Sequence, residues 1–266
     1  MAIKTNKIVS VLHVDDEIAY SGMLKTYFGK KYPYINLITC ESVPDACNYL
    51  KLKKIDVIVS DYQMPDVDGL QFLKKLRNEF GLTIPFIFLT GKGREEVVID
   101  AINNGADYYL EKSNKNIRAL MKELEHLILR AYEQKHNYEL IYRNEKLFHA
   151  VYEHFPIGIA LVNYRDDSDK IFDVNQAFCN ILGYSRQEMI GKAFEEFSDP
   201  EDIEKTQIAR KKMDSGECEK VSLIKNYIHK NGKQVRCDVK STIIRASDGS
   251  PIAFATLIKE MTSSIN

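Results

Sequence analysis

From residue 8 to residue 110 one rhythm repeats along the chain: a short unbroken apolar run, then an amphipathic stretch. The runs are residues 8–14 (IVSVLHV), 35–40 (INLITC), 55–60 (IDVIVS), 85–90 (PFIFLT) and 107–110 (DYYL). Continuous apolar residues, rather than alternation with polar ones, are what a strand shows when helices cover both faces of its sheet. The pattern predicts an α/β doubly wound fold, with five parallel strands each followed by a helix.

From residue 154 the texture changes. HFPIGIALV opens it, and two helical patches follow, NQAFCNILGYSRQEMIGKAF and DPEDIEKTQIARKKMDSG. Ser185 and Glu188 have the spacing of a capping box, and Asp199 before Pro200 reads as a helix start. Three strand-like runs, KVSLIKNYIHK, KQVRCDVKSTIIRA and PIAFATLIKEMT, are joined by KNGK and SDGS, which read as hairpin turns. This half is predicted to be an α+β domain with an antiparallel sheet.

Between the two halves, Ile117, Leu120, Leu124, Leu127, Ala131, Tyr138, Ile141, Phe148 and Tyr152 recur at steps of three and four, interrupted by polar Gln134 and Glu145. No Gly or Pro falls within 117–155, so one helix of roughly 36 residues, about 54 Å long, is expected. Its stripe fits a parallel two-stranded coiled coil joining two copies of the chain, with Gln134 fixing register. The alternative is a long helix packed on its own domains. The expected organisation is a first domain over 1–128, a helical coiled-coil linker over 129–145 and a second domain over 146–266.

In a doubly wound sheet, ligands bind beyond the carboxyl ends of the strands. Asp15, Asp16 and Glu17 follow the first run, Asp61 the third, Thr90 the fourth and Lys112 the fifth. Crowded carboxylates repel one another unless a cation joins them. Oxygen ligands alone suit a hard ion, so Asp15, Asp16 and Asp61 are candidate Mg²⁺ ligands, with Asp61 also placed for chemistry. Helix capping would account for one acid per loop, but not for an acid pair, a lone acid, a hydroxyl and a lysine at four strand ends.

Charge and cysteine usage narrow the class. The 266 residues carry 37 Lys and Arg against 38 Asp and Glu, a net charge of -1, which gives no support to a nucleic-acid or membrane-surface partner. Cys40, Cys47, Cys179, Cys218 and Cys237 form no CxxC pair and read as reduced structural thiols. No stretch approaches the ~20 apolar residues of a membrane span, and a cytoplasmic protein is expected.

Residues 8–128 resemble a receiver domain of two-component response regulators. The resemblance lies in VDDE, in DYQMPDVDGL around Asp61, in FLTG and in GADYYLEK. It implies a flavodoxin-like fold in which Asp61 accepts a phosphoryl group from a histidine kinase. It also implies a metal held by Asp15, Asp16, Asp61 and the backbone carbonyl of Gln63, with Lys112 contacting the phosphoryl group. Thr90 and Tyr109 would be the switch pair, Tyr109 moving from an exposed to a buried rotamer. Two departures stand out. Ser113 follows Lys112 where most receivers have a proline after a cis peptide, and Gly91 and Gly93 bracket Lys92 after the switch hydroxyl.

Residues 146–262 resemble a PAS domain, through GIALV, VNQAFCNILGYSRQEMIGK, DPED, HKNGK and KEMT. Flavin-binding members place a reactive cysteine in an NCRFLQ-type motif, whereas Cys179 sits in FCNILGY, and the patch before the meander has no histidine for haem. Neither cofactor is expected, His229 is read as solvent-facing at a hairpin, and any ligand is unassigned. The reading is a response regulator, not an enzyme, that acts as a dimer through the linker helix and PAS domain on a downstream protein partner. The alternative is the receiver–PAS portion of a larger sensor histidine kinase: His126, His136, His149 and His154 lie near the connector, but no glycine-rich ATP-binding lobe follows residue 262. A metal-dependent phosphatase would need a second acid where Gln63 stands.

Overall fold

The computed structural model describes residues 7–91, 95–112, 116–164 and 170–261, with the backbone alone for 95–97. The chain divides into two compact units, 1–142 and 143–266, the division falling inside one long helix.

In the first unit the strands are β1 (Val9–Val14), β2 (Ile35–Cys40), β3 (Val57–Ser60), β4 (Phe86–Thr90) and β5 (Tyr108–Glu111). They form a parallel sheet in the order β2-β1-β3-β4-β5. Between them run α1 (Ile18–Lys31), α2 (Val43–Leu52), α3 (Gly69–Lys74) and α4 (Glu95–Asn103), and α5 (Ile117–His154) follows β5. A π-helical turn, Lys75–Glu79, extends α3. Each apolar strand feeds both faces of the sheet. Val9, Val11, Val57, Val59, Ile87 and Leu89 pack with α1 and α5, whereas Leu12, Val14, Ile58, Phe86 and Phe88 pack with α2 and α3. That double burial is why the runs are unbroken.

The helix α5 has 38 residues and no break. The structure corrects the coiled-coil expectation for its first half. Leu120, Leu124 and Ala131 belong to the first unit's own core, and Leu127 packs against it. Nor is Gln134 a register device, since its Oε1 accepts a hydrogen bond from Tyr108 at 2.7 Å. Tyr34 similarly donates to Glu125 at 2.7 Å. Of the stripe, Ile117, Tyr138, Ile141 and Phe148 remain exposed, whereas Tyr152 is buried.

The second unit comprises β6 (Gly158–Asn163), β7 (Ile171–Val174), α6 (Gln176–Leu182), α7 (Arg186–Met189), α8 (Pro200–Asp214), β8 (Lys220–Ile228), β9 (Gln234–Arg245) and β10 (Pro251–Glu260). Its sheet is antiparallel, in the order β7-β6-β10-β9-β8. The helix starts follow the expected chemistry: Glu188 accepts from the Ser185 backbone and hydroxyl, both at 2.9 Å, and Asp199 accepts from Glu201 N at 3.0 Å. Gly232 and Gly249, both at φ +84°, close the two hairpins. At the start of α6, Asn175 is fully buried with its amide saturated. Its Oδ1 accepts from Ile159 N and Phe178 N, and its Nδ2 donates to the Tyr152 and Ile157 carbonyls.

His229 is not simply solvent-facing. It is half-buried with its ring against Gly183, where a Cβ would lie 2.3 Å from it, and Gly183 ends α6 at φ +75°. All five cysteines are free; Cys47, Cys179 and Cys237 are buried, and Cys40 and Cys218 are half-buried.

Candidate functional site

Asp15 and Asp61 leave their strands at the same rim. Asp15 N donates to the Cys40 carbonyl at the end of β2, and Asp61 N to the Val14 carbonyl at the end of β1. Parallel strands in register thus deliver both acids side by side, on either side of the switch point between β1 and β3. Asp15 is fully buried and its Oδ1 accepts from Glu17 N at 2.9 Å. Asp16 is exposed and Asp61 half-buried. Oxygens of the three carboxylates all lie within 4.8 Å of one another.

Lys112 reaches into this cluster from beyond β5. Its Nζ donates to Asp15 Oδ2 at 2.7 Å and to Asp61 Oδ2 at 3.2 Å, and lies 4.6 Å above the Tyr20 ring. Burial disfavours the ammonium, but the Asp15 hydrogen bond and the charges of Asp15 and Asp61 outweigh it, so its pKa is raised. Asp61 is shifted upward as well. Burial is the main cause, Lys112 opposes it, and the Asp15 charge adds to it. Its Oδ1 accepts from Tyr62 N at 2.7 Å.

The residues fit a small hard cation. The donors are oxygens only, they converge, and one of the three carboxylates is open to solvent, which suits an octahedral ion that keeps several waters.

The loop after Asp61 is held by its own sequence. Val67 N donates to the Pro65 carbonyl at 2.7 Å around Asp66, which takes a positive φ of 62°. Asp68 caps α3, accepting from Gln71 N at 2.7 Å while Gln71 Oε1 accepts from Asp68 N at 3.0 Å. Gly69 then passes so close beneath Asp61 that a Cβ there would lie 2.1 Å from the Asp61 carbonyl oxygen and 2.9 Å from Phe88 Cε1. Gln63 lies exposed in this loop, two residues beyond Asp61.

Thr90 is buried at the end of β4, and its carbonyl accepts from Lys112 N at 2.6 Å. Tyr109 departs from the expected exposed rotamer. Its ring is half-buried among the α2 and α3 face residues and its hydroxyl is enclosed without a hydrogen-bond partner. Burial raises the pKa of that hydroxyl; the neighbouring Thr90 hydroxyl favours the phenolate but does not reach hydrogen-bonding geometry. The Lys112–Ser113 peptide and the Lys92–Gly93 segment lie outside the described residues.

Sequence reasoning missed two neighbours. His13 is completely buried, hydrogen-bonded through Nδ1 to Ser21 Oγ at 3.1 Å, with Nε2 3.7 Å from Asp15 Oδ2. Burial lowers its pKa to about 4 against the pull of Asp15. Tyr20 borders the cluster from α1, its hydroxyl buried without a hydrogen-bond partner and raised to about 12, chiefly by burial. A histidine inside an otherwise apolar strand two residues before an acid pair was the available signal.

Comparison with known proteins follows this division. Residues 11–125 match the family model for a response regulator receiver domain, and residues 156–263 that for a PAS domain. Two curated relatives are a probable diguanylate cyclase DgcE of Escherichia coli, 33% identical over 48% of this chain, and the response regulator SaeR of Staphylococcus aureus, 34% identical over 47%. The chain spans 11% and 53% of their respective lengths. Among solved structures, a Francisella response regulator receiver domain is 28% identical, covering 48% of this chain and 98% of that one with a TM-score of 0.42. A PAS domain from Colwellia psychrerythraea is 17% identical, covering 44% and 96% with a TM-score of 0.39.

Proposed function

Because this chain is a two-component signalling protein in which a receiver domain precedes a PAS domain, we propose that Asp61 accepts a phosphoryl group from a histidine kinase and that the phosphorylated receiver signals to a protein partner. The observation that carries the reading is the convergence of Asp15, Asp16 and Asp61 within 4.8 Å, with the Lys112 ammonium 2.7 and 3.2 Å from two of them.

Phosphoryl transfer proceeds through a loose transition state, so a protein assists it mainly by alignment and charge neutralisation. Asp15, Asp16 and Asp61, with the Gln63 carbonyl, would hold Mg²⁺, which when bound neutralises charge on the transferred group. A carboxylate oxygen of Asp61 bonds to phosphorus as the phosphorus–nitrogen bond of the donor imidazole breaks. Lys112 then exchanges its contact with Asp61 Oδ2 for a phosphoryl oxygen. The new group brings roughly -1.5 to -2 charges and strong acceptors within reach of Thr90, whose hydroxyl turns toward it. Tyr109, already turned inward, repacks into the space that Thr90 vacates.

The exposed apolar residues Tyr138, Ile141 and Phe148 of α5 support dimerisation through this helix. Among the described residues no helix is long and apolar enough to cross a membrane. The chain acts as a switch that is modified once per signal, not as a turnover enzyme. Labelling with acetyl phosphate and Mg²⁺ tests the reading: wild type should label and Asp61→Asn should not. Equal labelling of the two would remove Asp61 as the acceptor.

A further inference from the structure

A cavity of about 450 Å³ lies in the second unit, between α8 and the inner face of the antiparallel sheet. Val162, Val221, Leu223 and Phe254 give it an apolar wall, and Thr206, Ser241 and Thr256 line the remainder, with Ser241 and Thr256 hydrogen-bonded to each other at 2.9 Å. Its size falls within the range of small-molecule pockets.

One lining residue is out of place in such a wall. Lys225 is only 2% exposed. On β8 it shares strand parity with Val221, Leu223 and Tyr227, so its side chain points inward with theirs. Its Nζ donates to Ser198 Oγ at 2.8 Å and Thr206 Oγ1 at 3.2 Å, and sits 4.4 Å from the centre of the Tyr227 ring. All of these partners are neutral. Among the described residues no carboxylate lies within ion-pair distance of it. Glu195 and Asp202 act on it only from farther away, and Asp202 is itself engaged by Asn226 N at 2.7 Å and Lys205 at 2.6 Å. The other charges on the lining are Arg210, 3.4 Å from Asp214, together with Lys211 and Glu195. A buried ammonium with no counter-ion is costly, and desolvation accordingly lowers its pKa to about 8.

We propose that this cavity binds an amphipathic small-molecule monocarboxylate, its anionic head on Lys225 and its apolar body against Val162, Val221 and Leu223, since the Phe254 ring is already covered by the Arg210 guanidinium 3.2 Å from its centre. The proposal goes beyond the phosphoacceptor reading of the receiver and assigns a chemical class to the ligand of the PAS domain. An ammonium has three N–H donors. Two are committed to Ser198 and Thr206, leaving one direction for one anionic oxygen, which suits a single carboxylate better than a doubly charged phosphate. The bound anion supplies the charge that the protein withholds.

Calorimetric titration of the full chain with decanoate, and with 1-decanol as its uncharged counterpart, tests this. Wild type should bind decanoate about tenfold more tightly than decanol, the worth of one charge-assisted hydrogen bond. Lys225→Met should leave decanol binding unchanged and bring the two ligands to about the same affinity. Leu223→Trp, which fills the cavity, should weaken both. Equal wild-type affinities, a preference that survives in Lys225→Met, or no decanoate binding at all would each overturn the proposal. Should Lys225→Met fail to fold, the wild-type comparison together with Leu223→Trp still decides. The titration needs no phosphodonor, so Asp61→Asn should bind decanoate as wild type does, and failure of phosphorylation and failure of this site are separate results.

Discussion

Gly69→Ala is a small substitution whose sign decides whether the phosphoacceptor loop is built as described. Two general effects favour the alanine. It is the better helix former, by less at this first helical position than the roughly 1 kcal/mol of a helix interior, and it restricts the unfolded chain by about 0.4–1 kcal/mol. Against them stands one contact: the new Cβ would sit 2.1 Å from the Asp61 carbonyl oxygen, more than an ångström inside an ordinary van der Waals separation. That oxygen is backbone and accepts a hydrogen bond from Ser60 Oγ at 2.8 Å, so no side chain can swing aside to relieve the contact. Forcing atoms into such a site costs about 1–3 kcal/mol and at times more, enough to reverse the gains. The strain falls on Asp61 itself, and misplacing a reacting group by about 1 Å can cost about a hundredfold in rate. Hydrogen–deuterium exchange should show faster opening of β3 and β1 in the variant, and acetyl phosphate labelling should slow by about two orders of magnitude. A Gly69→Ala chain that exchanges more slowly than wild type and labels at the same rate would refute the close approach.

Three further outcomes are expected. Lys112→Met leaves the buried Asp15 and half-buried Asp61 without their ammonium and should lower receiver stability by about 3 kcal/mol; thermal melts should show Mg²⁺ restoring more stability to this variant than to wild type, because the ion no longer competes with Lys112. Asn175→Ala strips four hydrogen bonds at the start of α6 and should cost the PAS domain about 3 kcal/mol, seen as faster exchange of β6 amides than β1 amides. His13 titrates at about 4 when folded, below its ordinary 6.5, so the unfolded chain binds the extra proton: stability is full above pH 6.5 and falls by about 3 kcal/mol toward pH 4, a slope that acid unfolding of His13→Asn should lack.

The parallel sheet was legible because double burial leaves an unmistakable trace, and its five runs lie within two residues of β1 to β5. The acidic rim was legible for a related reason, since strand ends in such a sheet converge by topology. What the pattern could not say is which surface covers an apolar stripe. Leu120, Leu124 and Ala131 have the spacing of a two-chain seam and instead fill their own domain's core. The strand β7 went unmarked because four residues with two buried positions are too few to show a period. Gly69 and His13 owe their roles to close contacts, with Asp61 and Phe88 and with Ser21, that only the folded chain brings together. Lys225 was hidden by its type, although the alternation of Val221, Leu223 and Tyr227 already placed it on the inner face.

The buried thiols make each unit its own reporter. Cys237 is fully enclosed and its thiol is pushed up to about 12, so it reacts with an alkylating reagent only when the second unit opens. Cys47 does the same for the first unit. Mass-resolved alkylation of these two positions in one tube would therefore time the breathing of the two halves independently, without a label or a truncated chain.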